Sequence, residues 1–405
     1  MSIFEEKIFT NMSLNTFLQF INILAPIIAV PILIDSLGLE YYGITVSILS
    51  ISAFFIALSE MGLTNYASSK ISIKHERHKL KYFFAINMLK ILSLIFLFPF
   101  FILVFLFVSF EISYTLILFS YLFVILNCLS PYWYFLGMEK LPNFTFISFI
   151  GKLLFIAILV LFVDNEHDIN IVLGAYCIGA AFPLLAITKI NIINFKKDLK
   201  NSLRIVIPIL KKTQPLFLSN IGIASYTSLN GFLIGQYLTL EFAGLYGAAE
   251  RMVKGVQQIT TSVAQGSVAR LSDFKKIIEN RKLIFLIFLT SLSALVLFYF
   301  FISDLAPIIG IDNPEIIYLS KLLSPVILFG TLSTTICLAF LIPLDDIGFM
   351  SLVTFLAGLF NCLMIIIIAS RVGLFVAPLT IVFIEFAIMS LFILRAFKIN
   401  KSLSA

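Results

Sequence analysis

Seven polar residues crowd one otherwise apolar stretch between Gly244 and Val268: Glu250, Arg251, Lys254, Gln257, Gln258, Thr261 and Gln265. At 3.6 residues per helical turn, six of them share one stripe, with Arg251 at its edge. Ala249, Met252, Val256, Ile259 and Val263 fall on the opposite side. Lys90, Lys152 and Glu385 are further ionisable residues set inside long apolar runs. At bilayer depth each such charge costs about 2.5–3.5 kcal/mol. A set that leans basic therefore points to a wet, positively charged cavity that attracts an anion. Two plainer readings stand beside it. A helix resting on the membrane surface would break the alternation of charge between successive loops. Mutual neutralisation of Glu250 and Lys254, spaced i, i+4, leaves Arg251, Lys90 and Lys152 without partners in sequence. Lys321 and Glu60 lie nearer helix ends, where a long side chain reaches water by snorkelling.

Weaker signals surround this set. Asn220, Tyr226, Thr227 and Asn230 fall on one side of the preceding helix, where they either line the same cavity or make interhelical hydrogen bonds. Gly231 and Gly235 form a GxxxG pair, the usual mark of close helix packing. His75 and His78 sit in a basic loop and read as a solvated turn. Cys128, Cys177, Cys337 and Cys362 stand singly inside apolar runs, as small packing residues. There is no Walker A loop, HExxH, Ser-His-Asp set or paired Cys motif. No cofactor or metal is expected, and ATP-driven work would need another chain.

The elements that position these residues are membrane helices. Of the 405 residues 60% are hydrophobic, 44 are Phe and only 12% are charged, about half the charge of a soluble domain, and the mean hydropathy is +1.07. Hydrocarbon cannot satisfy peptide groups, so spanning segments are helices or closed barrels, and continuous apolar runs of about 20 residues select helices. Twelve spans are expected, near 14–34, 44–63, 83–105, 116–134, 144–163, 169–190, 215–237, 244–268, 283–302, 317–341, 349–369 and 375–397. Segments at one face carry Lys7, Lys70, Lys74, Arg77, Lys79, Lys81, Lys140, the Lys189–Lys212 group, Arg270, Lys275, Lys276, Arg281, Lys282, Arg395, Lys398 and Lys401. The alternate connections carry Arg371 and collect the acids Asp35, Glu40, Glu111, Asp164, Glu166, Asp168, Glu241, Asp304, Asp312 and Glu315. The positive-inside rule then puts both termini in the cytoplasm. The loop with Asp345 and Asp346 falls on that side without a Lys or Arg. Met1–Asn11 shows no signal-peptide pattern, so the first span is expected to direct insertion. The net charge of +6 reads as membrane orientation; nucleic acid is a poor partner for it.

The basic stretch 191–214 is expected to lie on the inner membrane surface as an amphipathic linker between a lobe at 1–190 and a lobe at 215–405, six spans each around a central cavity. An internal echo supports duplication: Leu37-Gly-Leu-Glu-Tyr-Tyr-Gly43 follows the first span and Leu238-Thr-Leu-Glu-Phe-Ala-Gly244 the seventh. With six spans per half, the implied axis lies along the membrane normal.

Three stretches resemble a known family. Pro31-Ile-Leu-Ile-Asp-Ser-Leu-Gly38 with Tyr42-Gly43, together with Glu60-Met-Gly-Leu63, is the first. Ser130-Pro-Tyr-Trp-Tyr-Phe-Leu-Gly-Met-Glu-Lys140 is the second, with Leu136 where a Gln is usual. The third begins at Phe217-Leu-Ser-Asn220 and runs through Tyr226-Thr-Ser-Leu-Asn230 to Gly244-Leu-Tyr-Gly-Ala-Ala-Glu-Arg251. They are similar to the O-antigen and polysaccharide repeat-unit flippases of the multidrug/oligosaccharidyl-lipid/polysaccharide exporter superfamily. The resemblance implies an inner-membrane flippase that carries an undecaprenyl-pyrophosphate-linked oligosaccharide to the periplasmic leaflet by alternating access, in lipopolysaccharide or related surface-polysaccharide assembly. Lys90, Lys152, Arg251 and Lys254 would hold the pyrophosphate. Glu250 and Glu385 would tune the cavity or bind a coupling cation, H+ or Na+, with Asn220, Tyr226, Asn230, Gln257, Gln258 and Gln265 lining it. The partners implied are the lipid-linked saccharide, membrane lipid and the polymerase or glycosyltransferases of the same pathway. A drug/cation antiporter of the same superfamily is the nearest alternative, but its cavity should be acidic. An enzyme such as a polymerase or ligase needs a large external loop, and the connection between Ile302 and Ile317 is too short to be one.

Overall fold

A computed structural model describes residues 3–73, 76–138, 140–190, 195–268, 281–344 and 346–404, and every regular element among them is a helix. In chain order these are α1 (Ile3–Glu60), α2 (Leu63–Ile73), α3 (Glu76–Leu106), α4 (Tyr114–Cys128), α5 (Tyr132–Gly137), α6 (Leu141–Phe162) and α7 (Ile169–Ala181). They continue as α8 (Phe195–Thr227), α9 (Asn230–Tyr237), α10 (Leu240–Val268), α11 (Arg281–Ile308), α12 (Pro314–Leu323), α13 (Pro325–Ile336), α14 (Ile347–Val372) and α15 (Val376–Ser404).

Among the described residues, 9 helical segments are long and apolar enough to cross a membrane. The difference from twelve has two physical sources. The first two expected spans form one helical run, α1, bent at Gly38 (φ 76, ψ 168) with no intervening loop. That backbone conformation is essentially confined to glycine. The seventh and eighth expected spans lie on α8–α9 and α10, whose polar residues keep them out of the apolar set. α10 has 29 residues, about 43 Å at 1.5 Å per residue, enough to cross. Ile95, Phe96, Phe100, Phe285, Phe300 and Ile367 are all exposed. So extensive an apolar surface belongs against acyl chains.

Contacts divide the chain into two compact units, Met1–Ala25 with Ile51–Ile221, and Pro26–Ser50 with Gly222–Ala405. In the first unit the chain leaves α1 through Met61 (φ 49) and Gly62 (φ 69), two successive left-handed residues that reverse it sharply into α2. Pro131, with no amide hydrogen to donate, interrupts the helix after α4 and starts the short α5. Trp133, Tyr134 and Phe135 of α5 are buried with Phe83, Ile71 and Leu141, and Trp133 stacks on Phe83 at 5.9 Å. Gly137 lets α5 lie against α2, since a β-carbon there would come within 2.7 Å of Ser68 O. Leu136 packs on the same core; its apolar contact takes the place of any polar role at that motif position. The basic stretch 191–214 is helical from Phe195 and belongs to α8 without a break, and Ile209 enters this core.

In the second unit the two echoing segments meet. A β-carbon on Gly43 would overlap Leu240 O, and one on Gly244 would lie 2.5 Å from Leu39 O. Residues 43 and 244, and 39 and 240, are each 201 positions apart, so the contact is reciprocal between the repeats. Val46 packs likewise against Gly247, its own counterpart at the same offset. The Gly231 and Gly235 pair faces Ser50, Val46 and Ser47, and Ser47 Oγ donates to Gly231 O at 3.2 Å. Gly222 and Gly358 bring α8 and α14 backbone to backbone, with a Gly358 β-carbon 2.5 Å from Gly222 O. Asp346, in the connection that lacked a cation, receives Arg395 through two bonds of 2.6 and 3.1 Å.

Candidate functional site

A polar assembly in the second unit grows from α10. Thr261 of its stripe is buried and Glu250, Lys254, Gln257 and Gln258 are partly buried, while Ile259 and Val263 near the end of its apolar side are exposed, as lipid-facing residues must be. Lys254 Nζ lies 2.9 Å from Glu250 Oε1 and donates to Thr227 O, the last carbonyl of α8. Tyr246 OH donates to Glu250 Oε1 at 3.1 Å, and Asn230 Nδ2 donates to Tyr246 OH at 3.0 Å and to Tyr226 O at 2.9 Å. The close α8–α14 crossing delivers Asn361, whose Nδ2 donates to Asn230 Oδ1 at 2.6 Å and to Ser225 O at 3.3 Å. Arg251 Nη1 donates to Tyr42 OH at 3.0 Å and stacks over that ring at 5.4 Å.

Glu385 adjoins this assembly from α15. It is almost fully buried, and Ser333 Oγ donates to its Oε2 at 3.4 Å. Gly330 leaves room beside it: the Gln257 amide occupies the place a β-carbon would take, and Glu385 Oε2 is 3.5 Å from that point. Lys254 acts electrostatically on this carboxylate, and the carboxylate in turn acts on Tyr226.

In the first unit, Lys90 is 0% exposed and donates to Cys128 O, the last carbonyl of α4, at 2.7 Å. Glu60 Oε1 lies 3.7 Å away and accepts from Thr64 at 3.0 Å. The Met61–Gly62 reversal holds Glu60 at that place. Lys90 and Lys254 thus have one geometry. Each ammonium joins a carboxylate to the terminal carbonyl of a helix that breaks within its span, where unpaired carbonyls and the negative end of the helix dipole attract a cation. Lys152 is different: on α6, partly buried, it has no hydrogen-bond or ion-pair partner among the described residues.

Of the expected site residues, Glu250, Lys254, Tyr226, Asn230, Gln257 and Glu385 come together, with Arg251 one position from Glu250. Lys90 and Lys152 belong to the other unit, as does Asn220, which is partly buried without a partner among the described residues. Gln258 is partly buried and contributes its carbonyl to Ser262. The Gln265 side chain lies outside the described ones. Tyr42, Glu60, Tyr246, Ser333, Gly330 and Asn361 were not foreseen. Asn361, a lone amide in the middle of an apolar run, carries a signal that sequence alone offers, and Tyr42, Glu60 and Tyr246 lie in the family-like stretches without their contacts being readable there. An open groove of about 600 Å3 lined by Phe242, Pro314, Glu315, Tyr318 and Phe375 includes none of the expected residues.

Residues 8–275 match the model of a family described as "Polysaccharide biosynthesis protein". No curated protein matches the sequence. Among solved structures, the chain is similar to the lipid II flippase MurJ in an inward closed conformation, with TM-score 0.69 and 15% identity over 98% of this chain and 88% of that one. It is also similar to an inward-facing multidrug resistance MATE family transporter of the MOP superfamily (TM-score 0.62, 12% identity, 96% and 95% covered). The eukaryotic MATE transporter AtDTX14 gives TM-score 0.63 at 11% identity, covering 95% of each chain. At these identities the likeness speaks for the fold.

Proposed function

We propose, from the premise that this chain belongs to the polysaccharide biosynthesis protein family and has the transporter fold of the MOP superfamily, that it is a flippase for a lipid-linked saccharide. The substrate proposed is an undecaprenyl-pyrophosphate-linked oligosaccharide, an O-antigen or related repeat unit. It crosses from the cytoplasmic to the periplasmic leaflet of a bacterial inner membrane, with both termini in the cytoplasm and six-span lobes at 1–190 and 215–405 alternating access. The observation that carries this reading is the set of polar and cationic residues held inside helices that cross the membrane. A lipid-facing helix gains nothing from Glu250, Lys254 and Gln257, whereas a headgroup bearing two negative charges needs such surroundings once it leaves water.

On this reading the four cations divide the labour. Arg251, held on Tyr42 with donors in a fork suited to phosphate, and the unpaired Lys152 take the headgroup directly. Lys90 and Lys254, engaged at helix breaks, add positive potential and hold the bent helices in place. Glu250 and Glu385 tune the cavity or seat a coupling cation, H+ or Na+, each being a carboxylate at membrane depth beside a hydroxyl, Tyr246 OH at Glu250 and Ser333 Oγ at Glu385. The isoprenoid tail stays among acyl chains while the sugars pass through the polar interior.

The test is reconstitution in liposomes with a fluorescent undecaprenyl-pyrophosphate-linked saccharide and a membrane-impermeant quencher. Translocation that requires the chain supports the reading. Cationic drug transport without movement of the lipid-linked saccharide would overturn it in favour of the antiporter.

A further inference from the structure

We infer that Thr145, Ser148 and Lys152 form one binding stripe on α6 for the pyrophosphate of the lipid-linked substrate, an assignment that deepens the flippase reading and rests on it. The three residues are spaced i, i+3 and i+7 and so lie within about 60° of one another around the helix. Thr145 is 3% exposed and Ser148 4%. Neither hydroxyl oxygen has a hydrogen-bond partner among the described residues.

Among the described residues one other buried serine or threonine hydroxyl, Ser59 Oγ, lacks a partner too, but it stands alone. Elsewhere in the spans, Thr331, Thr335, Thr354 and Thr380 each return the hydroxyl to the carbonyl one turn back, the ordinary way to satisfy such a group in a helix. Thr145 and Ser148 leave their hydroxyls free at a cost in stability, since a buried polar group without a partner forfeits its hydration. An unpaired ammonium lies one turn beyond. Three polar groups without partners, set in a line on one helix face, are groups waiting for a ligand.

The spacing and the support fit a diphosphate. Ser148 and Lys152 are about 6 Å apart along the axis, and Thr145 about 4.5 Å further on, the scale over which two linked phosphoryl groups present their oxygens. The ammonium meets the charge while the hydroxyls donate to phosphoryl oxygens without adding charge that would hold the substrate back. α6 is pinned at this level by α7: a β-carbon on Gly151 would lie 2.9 Å from Gly179 O and 2.7 Å from Phe182 Cβ. The stripe is therefore carried on a rigid pair of helices.

Thermal unfolding of the purified full-length chain in nanodiscs, with and without undecaprenyl pyrophosphate, tests the assignment. Thr145→Val and Ser148→Ala remove the hydroxyls at nearly constant shape. Both should hold or raise the ligand-free unfolding temperature while reducing the shift that undecaprenyl pyrophosphate gives. The double variant should bind that lipid about tenfold more weakly, a difference of about 1.4 kcal/mol. Lys152→Met should abolish the shift and Lys152→Arg restore most of it. A double variant that unfolds earlier without ligand yet binds undecaprenyl pyrophosphate as the wild type does would refute the stripe alone. A wild-type chain that the lipid does not stabilise would refute the flippase reading and the stripe with it. Inorganic pyrophosphate that stabilises as well as the lipid would overturn the assignment to a lipid-linked ligand.

Discussion

Replacing Lys90 by Met separates a cation that holds a helix from one that holds a substrate. The ammonium is fully buried, 2.7 Å from Cys128 O and 3.7 Å from Glu60. A hydrogen bond from a charged donor is worth about 1.5–3 kcal/mol, and its loss leaves the terminal carbonyl of α4 unpaired. Glu60 is 28% exposed, so water answers part of its charge and the ion pair adds under about 1 kcal/mol. Against this stands the relief of desolvating one buried ammonium. The net expectation is a loss of about 2 kcal/mol, a large share of the margin of a folded domain. The apparent unfolding temperature in nanodiscs reads the global effect. The local effect is read at Cys128, buried beside the same helix break: in a variant keeping only that cysteine, alkylation should accelerate when Lys90 is replaced. Lys90→Arg should behave closer to the wild type, and Glu60→Gln added to Lys90→Met should recover part of the loss. A Lys90→Met chain with wild-type stability, a protected Cys128 and no substrate translocation would show that the ammonium serves the substrate and that the capping argument is wrong.

Four other substitutions test the second unit. Gly43→Ala brings a β-carbon onto the backbone of Leu240, where no side chain can yield, so a loss of about 1–3 kcal/mol is expected; folded yield and thermal unfolding measure it, and Gly244→Ala should cost less. Asn361→Leu deprives Asn230 Oδ1 and Ser225 O of their donor and should lower stability by about 1–3 kcal/mol, read by the same unfolding assay. Gly330→Ala displaces only the end of the flexible Gln257 side chain; folded yield should stay near wild type while translocation falls, because the amide leaves the neighbourhood of Glu385.

How much of the fold was legible in the sequence depends on which signals are local. Hydropathy finds α3, α6, α11 and α14 because an acyl-facing helix must be apolar throughout. The same measure overlooks α10, whose polar stripe betrays it as an interior element. The stripe itself was readable from three- and four-residue spacing, as were Glu250 and Lys254 as a pair. The pairing of Lys90 with Glu60 was not, because it depends on the Met61–Gly62 reversal and on the helix break at Pro131, both distant from Lys90 in sequence. The loop of Asp346 holds no Lys or Arg, and only folding brings Arg395 to it from the last span. The bend at Gly38 replaces an expected loop because one glycine in a conformation closed to other residues turns the chain by itself.

The mutual fit of Gly43 on Leu240 and Gly244 on Leu39 has a bearing on descent. It is the form of contact a protein makes with a second copy of itself, an isologous patch in which each partner gives what it receives. A six-helix ancestor carrying that patch could assemble as a homodimer before fusion joined its copies. Such a fusion would release the halves from identity: Tyr42 holds Arg251, whereas the residue 201 positions on from Tyr42 is Ala243 and has no ring to offer. Any change at this patch now alters one side of the contact alone, so Gly43 and Gly244 must each be kept for the sake of the other segment's backbone.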